Sequence, residues 1–115
     1  MKLKQSYRIT TFVPPDSLQA VIDSINNAVV LSYGKYDHVL WHSSPGIEQY
    51  RPLKGANPTE GKVGVVTSVD SIKLEFSIPH DEKILERAIN EGIKPRHPWE
   101  EPVILVSEIF ETRKE

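Results

Sequence analysis

Apolar and polar residues alternate from Tyr7 to Val13, with Tyr7, Ile9, Thr11 and Val13 on one side and Arg8, Thr10 and Phe12 on the other. That period of two predicts a strand, and Pro14-Pro15 ends it because neither ring nitrogen can donate to a ladder. Asp16 with Gln19 three residues on resembles a capping box, and Leu18, Val21, Ile22, Ile25 and Val29 then repeat at helical spacing. The same succession returns later in the chain. Ile72, Leu74, Phe76 and Ile78 alternate with Lys73, Glu75 and Ser77 as far as Pro79, and Ile84, Leu85, Ala88 and Ile89 follow at helical spacing until Gly92, the expected helix stop. Further strands are expected from about Tyr33 to Trp41, where polar insertions blur the pattern, and from about Val103 to Phe110. The predicted order is β-α-β-β-α-β.

This order describes an α+β, ferredoxin-like βαββαβ sandwich, with two helices on one face of an antiparallel sheet. The 115 residues suit one domain, 1–115, with a modest core. On the other face of the sheet, Tyr7, Phe12, Tyr36 and Trp41 are expected to add apolar area, which an oligomer would cover together with the sheet edges. Between the middle strands, His42 to Lys62 is rich in Gly, Pro, Ser and Asn and reads as a long loop of the kind that carries function or moves.

Charge and composition remove several function classes. Charged residues make up 26% of the chain and the formal net charge is -2, so the basic footprint expected of a nucleic-acid or anionic-membrane partner is missing. The chain has no cysteine, which excludes disulfides, thiolate metal sites and a thiol nucleophile and fits a cytoplasmic protein. No apolar run approaches the roughly 20 residues a bilayer span needs, and Met1-Lys2-Leu3-Lys4-Gln5-Ser6 lacks the apolar centre of a signal peptide.

Candidate chemistry concentrates in His97-Pro98-Trp99-Glu100-Glu101-Pro102, where a histidine, an aromatic and two carboxylates are held between prolines just before a strand. The imidazole and carboxylates are suited to a divalent metal, and His38, His42 and His80 could add ligands from other segments. The architectural alternative has the prolines setting the chain path, Trp99 packing under the sheet, and the carboxylates holding backbone N–H groups or a base such as Arg51 or Arg96. In Leu53-Lys54-Gly55-Ala56-Asn57-Pro58-Thr59-Glu60-Gly61, backbone N–H groups near Lys54 and Lys62 could cradle an anion; the plainer reading is a turn shaped by glycines at positive φ. No enzyme is expected. Glu100 and Glu101 are neighbours, so on a strand they face opposite ways, and no nucleophile motif is present.

Several blocks together carry a family resemblance: Tyr33-Gly34-Lys35-Tyr36, Ser44-Pro45-Gly46, Tyr50 to Pro58, Gly61-Lys62-Val63-Gly64, Leu74-Glu75 and His97 to Pro102. In this order they resemble the PII/CutA-like domain inserted in many bacterial members of the dinuclear-metal family of GTP cyclohydrolase I type 2, or NGG-interacting-factor-like, proteins. The flanking metal-binding domains of that family have no counterpart in these residues, so the chain reads as a stand-alone version of the insert. The resemblance implies a non-catalytic binding or regulatory domain that responds to a small effector or a divalent metal. The expected ligand-binding residues are Arg51, Lys54, Gly55, Asn57, His97, Trp99 and Glu100. A similarity of the last block to CutA implies metal contacts from His97 and Glu101 and a homotrimer. Neither a nucleic-acid nor a membrane partner is expected.

Overall fold

A computed structural model describes residues 1–113. The chain forms β1 (Lys2–Val13), a single 3-10 turn at Pro15–Ser17, α1 (Leu18–Ala28), β2 (Trp41–His42), β3 (Gly46–Tyr50), β4 (Thr67–Pro79), α2 (Glu82–Arg87) and β5 (Ile104–Arg113). After α2 the helix widens over Ala88–Ile93, where the Lys94 N–H reaches the Ile89 carbonyl at 3.0 Å. The sheet order is β2-β4-β1-β5, with β3 also on β4, and every pairing is antiparallel. This is the ferredoxin-like arrangement expected from the alternating pattern.

Alternation in β1 and β4 places one apolar set under the helices. Ile9 stands opposite Phe76 and Tyr7 opposite Ile78, and these side chains with Val13 and Leu74 pack against Val21 and Ile25 of α1 and against Ala88 and Ile93. Tyr7 therefore belongs to the core, not to the open face where apolar area was expected. The open face carries charge instead. Arg8 Nε lies 3.2 Å and Lys73 Nζ 2.9 Å from the Glu75 carboxylate, and the hydrogen bond from Lys73, reinforced by Arg8, holds the Glu75 carboxyl below its ordinary value. Phe12 is half-buried, while Tyr36 and Trp41 are exposed.

Both helix signals read from the sequence act differently from expectation. Asp16 and Gln19 make no capping box; Ser17 is the α1 N-cap without a side-chain bond, and Gln19 donates instead to Asp23 at 2.9 Å. The cap that does form is on α2, where Asp81 accepts from the Lys83 and Ile84 N–H groups at 2.8 and 3.2 Å. Gly92 does not stop its helix. It is buried where the widened turn crosses α1, and a Cβ there would lie 3.2 Å from the Ile25 Cα.

The middle of the chain departs most from its pattern. The expected strand from Tyr33 to Trp41 is a tight turn in which Tyr33 and Tyr36 exchange backbone bonds of 2.8 and 3.1 Å around Gly34 at φ +60°. Only Trp41 and His42 enter the sheet. The expected loop, in contrast, contains β3, which continues the line of β2 along β4 after a one-residue bulge in which residues 43–45 stand opposite 72–73. Ser43 fills that break: its N–H donates to the Lys73 carbonyl at 2.9 Å and its Oγ accepts from the Lys73 N–H at 3.0 Å. Because β1 stops at Val13, opposite Ile72, residues 67–71 pair with β3 alone among the described strands. This end is a two-stranded ribbon that projects from the body, in a molecule 52 Å long and 26 Å wide.

Candidate functional site

The notch between the ribbon and the body is filled by the segment of His97 to Pro102. Two bonds sew that segment to the end of β1. Thr11 Oγ1 donates to the Val103 carbonyl at 2.9 Å, and His97 Nε2 lies 2.7 Å from the Phe12 carbonyl. A carbonyl can only accept, so Nε2 carries the proton, and Nδ1 is left to accept the Trp99 N–H at 3.2 Å. The imidazole is 8% exposed, and burial lowers its pKa against the opposing pull of the Phe12 carbonyl and Glu48. His97 is thus a neutral ring that shapes a corner.

From the other side, the ribbon's connecting loop folds back onto this corner. Its path is set by a turn closed by the Ala56 N–H on the Leu53 carbonyl at 3.0 Å, with Gly55 at φ +97°, where a side chain would be strained. The Tyr50 hydroxyl donates to the Glu60 carbonyl at 2.7 Å across the loop's base. Burial, followed by the Glu60 and Glu48 carboxylates, pushes that phenol above its ordinary value, which keeps it a donor. Two bonds then join loop to corner: the Asn57 N–H is shared by the Glu100 carboxylate oxygens at 3.0 and 3.3 Å, and Thr59 Oγ1 donates to the Pro98 carbonyl at 2.8 Å. Glu100 holds a backbone N–H, as the architectural reading of the corner expects.

Ribbon and corner enclose a cleft of about 760 Å³. Arg51, Lys54, Gly55, Trp99, Glu100 and Glu101 all line it, although they come from segments more than forty residues apart in the chain. Asn57 and His97 are not among its lining residues; they stand behind the walls, one clamped by Glu100 and the other locking the corner. Both ring nitrogens of His97 are spent on the backbone, and no group of three or more His, Asp or Glu is gathered around an ion-sized space among the described residues. His38 and His80 pair instead with Asp37 and Glu108, and His42 Nδ1 contacts the Ser43 carbonyl.

The sequence reading did not single out Glu48, Tyr50 or Thr59 as site residues, yet all three line the cleft. Glu48 and Tyr50 sit two apart on β3 and so share a face, a signal hidden by reading that segment as loop. No helix among the described residues is long and apolar enough to cross a membrane.

No protein-family model matches the chain. Its sequence is 36% identical over 98 residues to a protein of Staphylococcus epidermidis named GTP cyclohydrolase 1 type 2 homolog, a match covering 84% of this chain and 25% of that protein. The chain spans about a quarter of the length of the curated relatives it matches. Among solved structures, a Bacillus cereus protein related to NIF3 superposes with a TM-score of 0.75 at 21% identity, over 95% of this chain and 27% of that one. The divalent ion tolerance protein CutA1 of Ehrlichia chaffeensis superposes with a TM-score of 0.64 at 12% identity, over 92% and 82%. Sequence and fold together bear out the resemblance to the PII/CutA-like part of the GTP cyclohydrolase 1 type 2 homologs.

Proposed function

We propose that the chain is a non-catalytic, effector-binding domain that works as a homotrimer, and that its effector occupies the cleft between the ribbon and the 97–102 corner. The observation that carries this reading is the Glu100 clamp. The Glu100 carboxylate on the Asn57 N–H, beside the Thr59 bond to the Pro98 carbonyl, ties the two walls of the cleft together, so a ligand that enters bears on both at once. Binding that favours one arrangement of the ribbon loop shifts its population by the ligand's differential affinity, which is the physical content of regulation. The binding reading is supported by how two of the cleft carboxylates are used: Glu48 accepts from the Ser71 hydroxyl and Glu100 from the Asn57 N–H. A divalent metal enters this reading as a candidate effector seated on cleft carboxylates, with His97 as a positioning residue.

Support for the assembly comes from β5. It ends the sheet order, and its outer edge pairs with no strand among the described residues, while Leu105, Val106 and Phe110 are exposed along it. Such an edge ordinarily needs a cover, and a closed ring of copies supplies one.

Native mass spectrometry with thermal-shift screening of nucleotides, amino acids, Zn²⁺ and Cu²⁺ tests both parts. A trimer is expected, together with a compound whose stabilisation, about 2.7 kcal/mol at a hundredfold excess over Kd, disappears in Arg51→Ala. In Glu100→Gln, the Asn57 amide should exchange with solvent up to about tenfold faster, since the charge-assisted bond loses part of its roughly 1.5–3 kcal/mol. A monomer refutes the assembly. Failure of every compound, with unchanged exchange at Asn57, refutes the cleft as an effector site.

A further inference from the structure

The charges around the cleft narrow what it takes. Resting on the reading of this cleft as an effector site, we propose that its ligand is a zwitterion of about tripeptide size, with its carboxylate at Arg51 and Lys54, its ammonium at Glu101, and an apolar body against Leu53 and Trp99.

Two kinds of charged group face this space. Glu48 is occupied by the Ser71 hydroxyl at 2.9 Å and Glu100 by the Asn57 N–H. In contrast, Arg51, Lys54, Glu60 and Glu101 line the cleft with no salt bridge and no side-chain hydrogen bond to another described residue. Two cations and two carboxylates are therefore left for a visitor. Arg51, Lys54 and Glu60 stand on the ribbon loop and Glu101 beside Glu100 on the corner, so the loop wall carries a net positive charge and the corner wall is acidic. A purely anionic ligand would bring its charge against Glu60, Glu100 and Glu101. A purely cationic ligand would bring its charge against Arg51 and Lys54. Only a molecule carrying both signs matches both walls, and like-charge contact is what excludes the others.

Size and surface set the remaining requirements. At about 760 Å³ the cleft is larger than a single amino acid needs and lies within the range of about 300–1,000 Å³ that holds drug-sized ligands. Leu53, Trp99 and Val103 supply apolar wall between the charged groups, and aromatic surface with a few placed charges is the usual composition of such a site. A short peptide with free termini and apolar side chains meets each requirement.

The test is titration of trileucine into the full chain at neutral pH and low salt, followed by calorimetry and by the NMR shift of the Trp99 indole N–H. Saturable binding that moves this signal is expected, with N-acetyl-trileucine and trileucine amide each binding at least about tenfold more weakly. Glu101→Gln should weaken trileucine by a similar factor while leaving the acetylated peptide unchanged, and Arg51→Ala with Lys54→Ala should do the same with respect to the amide. These side chains are exposed, so the variants should keep their fold, which the remaining NMR spectrum verifies. Equal binding of the blocked peptides, binding indifferent to the variants, or no binding of trileucine overturns the zwitterion. Adenosine diphosphate and spermidine serve as the anionic and cationic probes. If either moves Trp99 where trileucine does not, the cleft remains an effector site but not for this class. If none of the probes moves it, both readings fall together.

Discussion

Replacing His97 by alanine removes one small ring and disturbs two strands of chain. In the native protein the ring donates from Nε2 to the Phe12 carbonyl and accepts at Nδ1 from the Trp99 N–H, and it is 8% exposed. Alanine leaves both backbone groups without that partner in a site that admits little water. An orphaned buried polar group costs about 1–3 kcal/mol, and a large-to-small change adds a cavity. Partial relaxation around the half-buried Trp99 brings the expected loss to about 2–4 kcal/mol, a large share of the roughly 5–15 kcal/mol that holds a domain together. For a chain of this size that is a fall in Tm on the order of 10 °C. The acid response supplies a second reading of the same ring. Burial holds the folded-state pKa below the unfolded value of about 6.5, so the unfolded chain binds the extra proton first. Stability from this ring is full above about pH 6.5 and falls as pH drops through that value towards the lower folded pKa. Protonation also turns Nδ1 into a donor facing the Trp99 N–H. Urea unfolding at pH 7.5 and 5 of wild type, His97→Ala and His97→Gln resolves the two effects: alanine should be destabilised and lose this part of the acid slope, while glutamine, with an amide donor for Phe12, should recover part of the stability without the slope. A loss below about 1 kcal/mol in alanine, or an acid slope unchanged from wild type, refutes the corner-lock assignment.

Two further changes probe the frame around the site. Gly92→Ala places a methyl 3.2 Å from the Ile25 Cα, which is backbone and cannot swing aside, so a loss of about 1–3 kcal/mol is expected in thermal unfolding; a neutral result would mean that the widened turn shifts freely over α1. Asp81→Ala removes the cap that accepts from Lys83 and Ile84 and should destabilise by about 1 kcal/mol, with faster amide exchange confined to the first turn of α2. Asp16→Ala, lacking any such bond, should leave α1 unchanged by the same measurement.

Where one face of an element is buried, its period was readable. Tyr7 to Val13 and Ile72 to Ile78 alternate because one side of each strand meets α1 and α2 while the other meets water, and Leu18 to Val29 repeats because one stripe of the helix does the same. The stretch Gly46-Ile47-Glu48-Gln49-Tyr50 has no such contrast. On the ribbon Ile47 is exposed, whereas Glu48 and Tyr50 are half-buried against the cleft, so the side facing inward is the polar one. A strand whose ladder is its main support leaves no hydrophobic trace. The same reason explains Tyr33 to Trp41, where aromatic residues with strand propensity surround a glycine at positive φ that turns the chain. At the site, the proline-framed corner and the glycine turn could be located one at a time. Their meeting could not, because it depends on a β3 and β4 register and on an Asn57 N–H that carries no side-chain signature.

The pairing of Lys2 with Arg113 places the first and last strands of the described fold side by side, at the end of the long axis away from the ribbon loop. Neighbouring strands lie about 5 Å apart, a gap that a polypeptide bridges with almost no loss of chain freedom. A longer protein could therefore carry this unit as a side branch, interrupting its own backbone by one strand's width without stretching or kinking it. The cleft between the ribbon and the 97–102 corner would then point outward from the junction, some tens of ångströms from whatever the branch grows from.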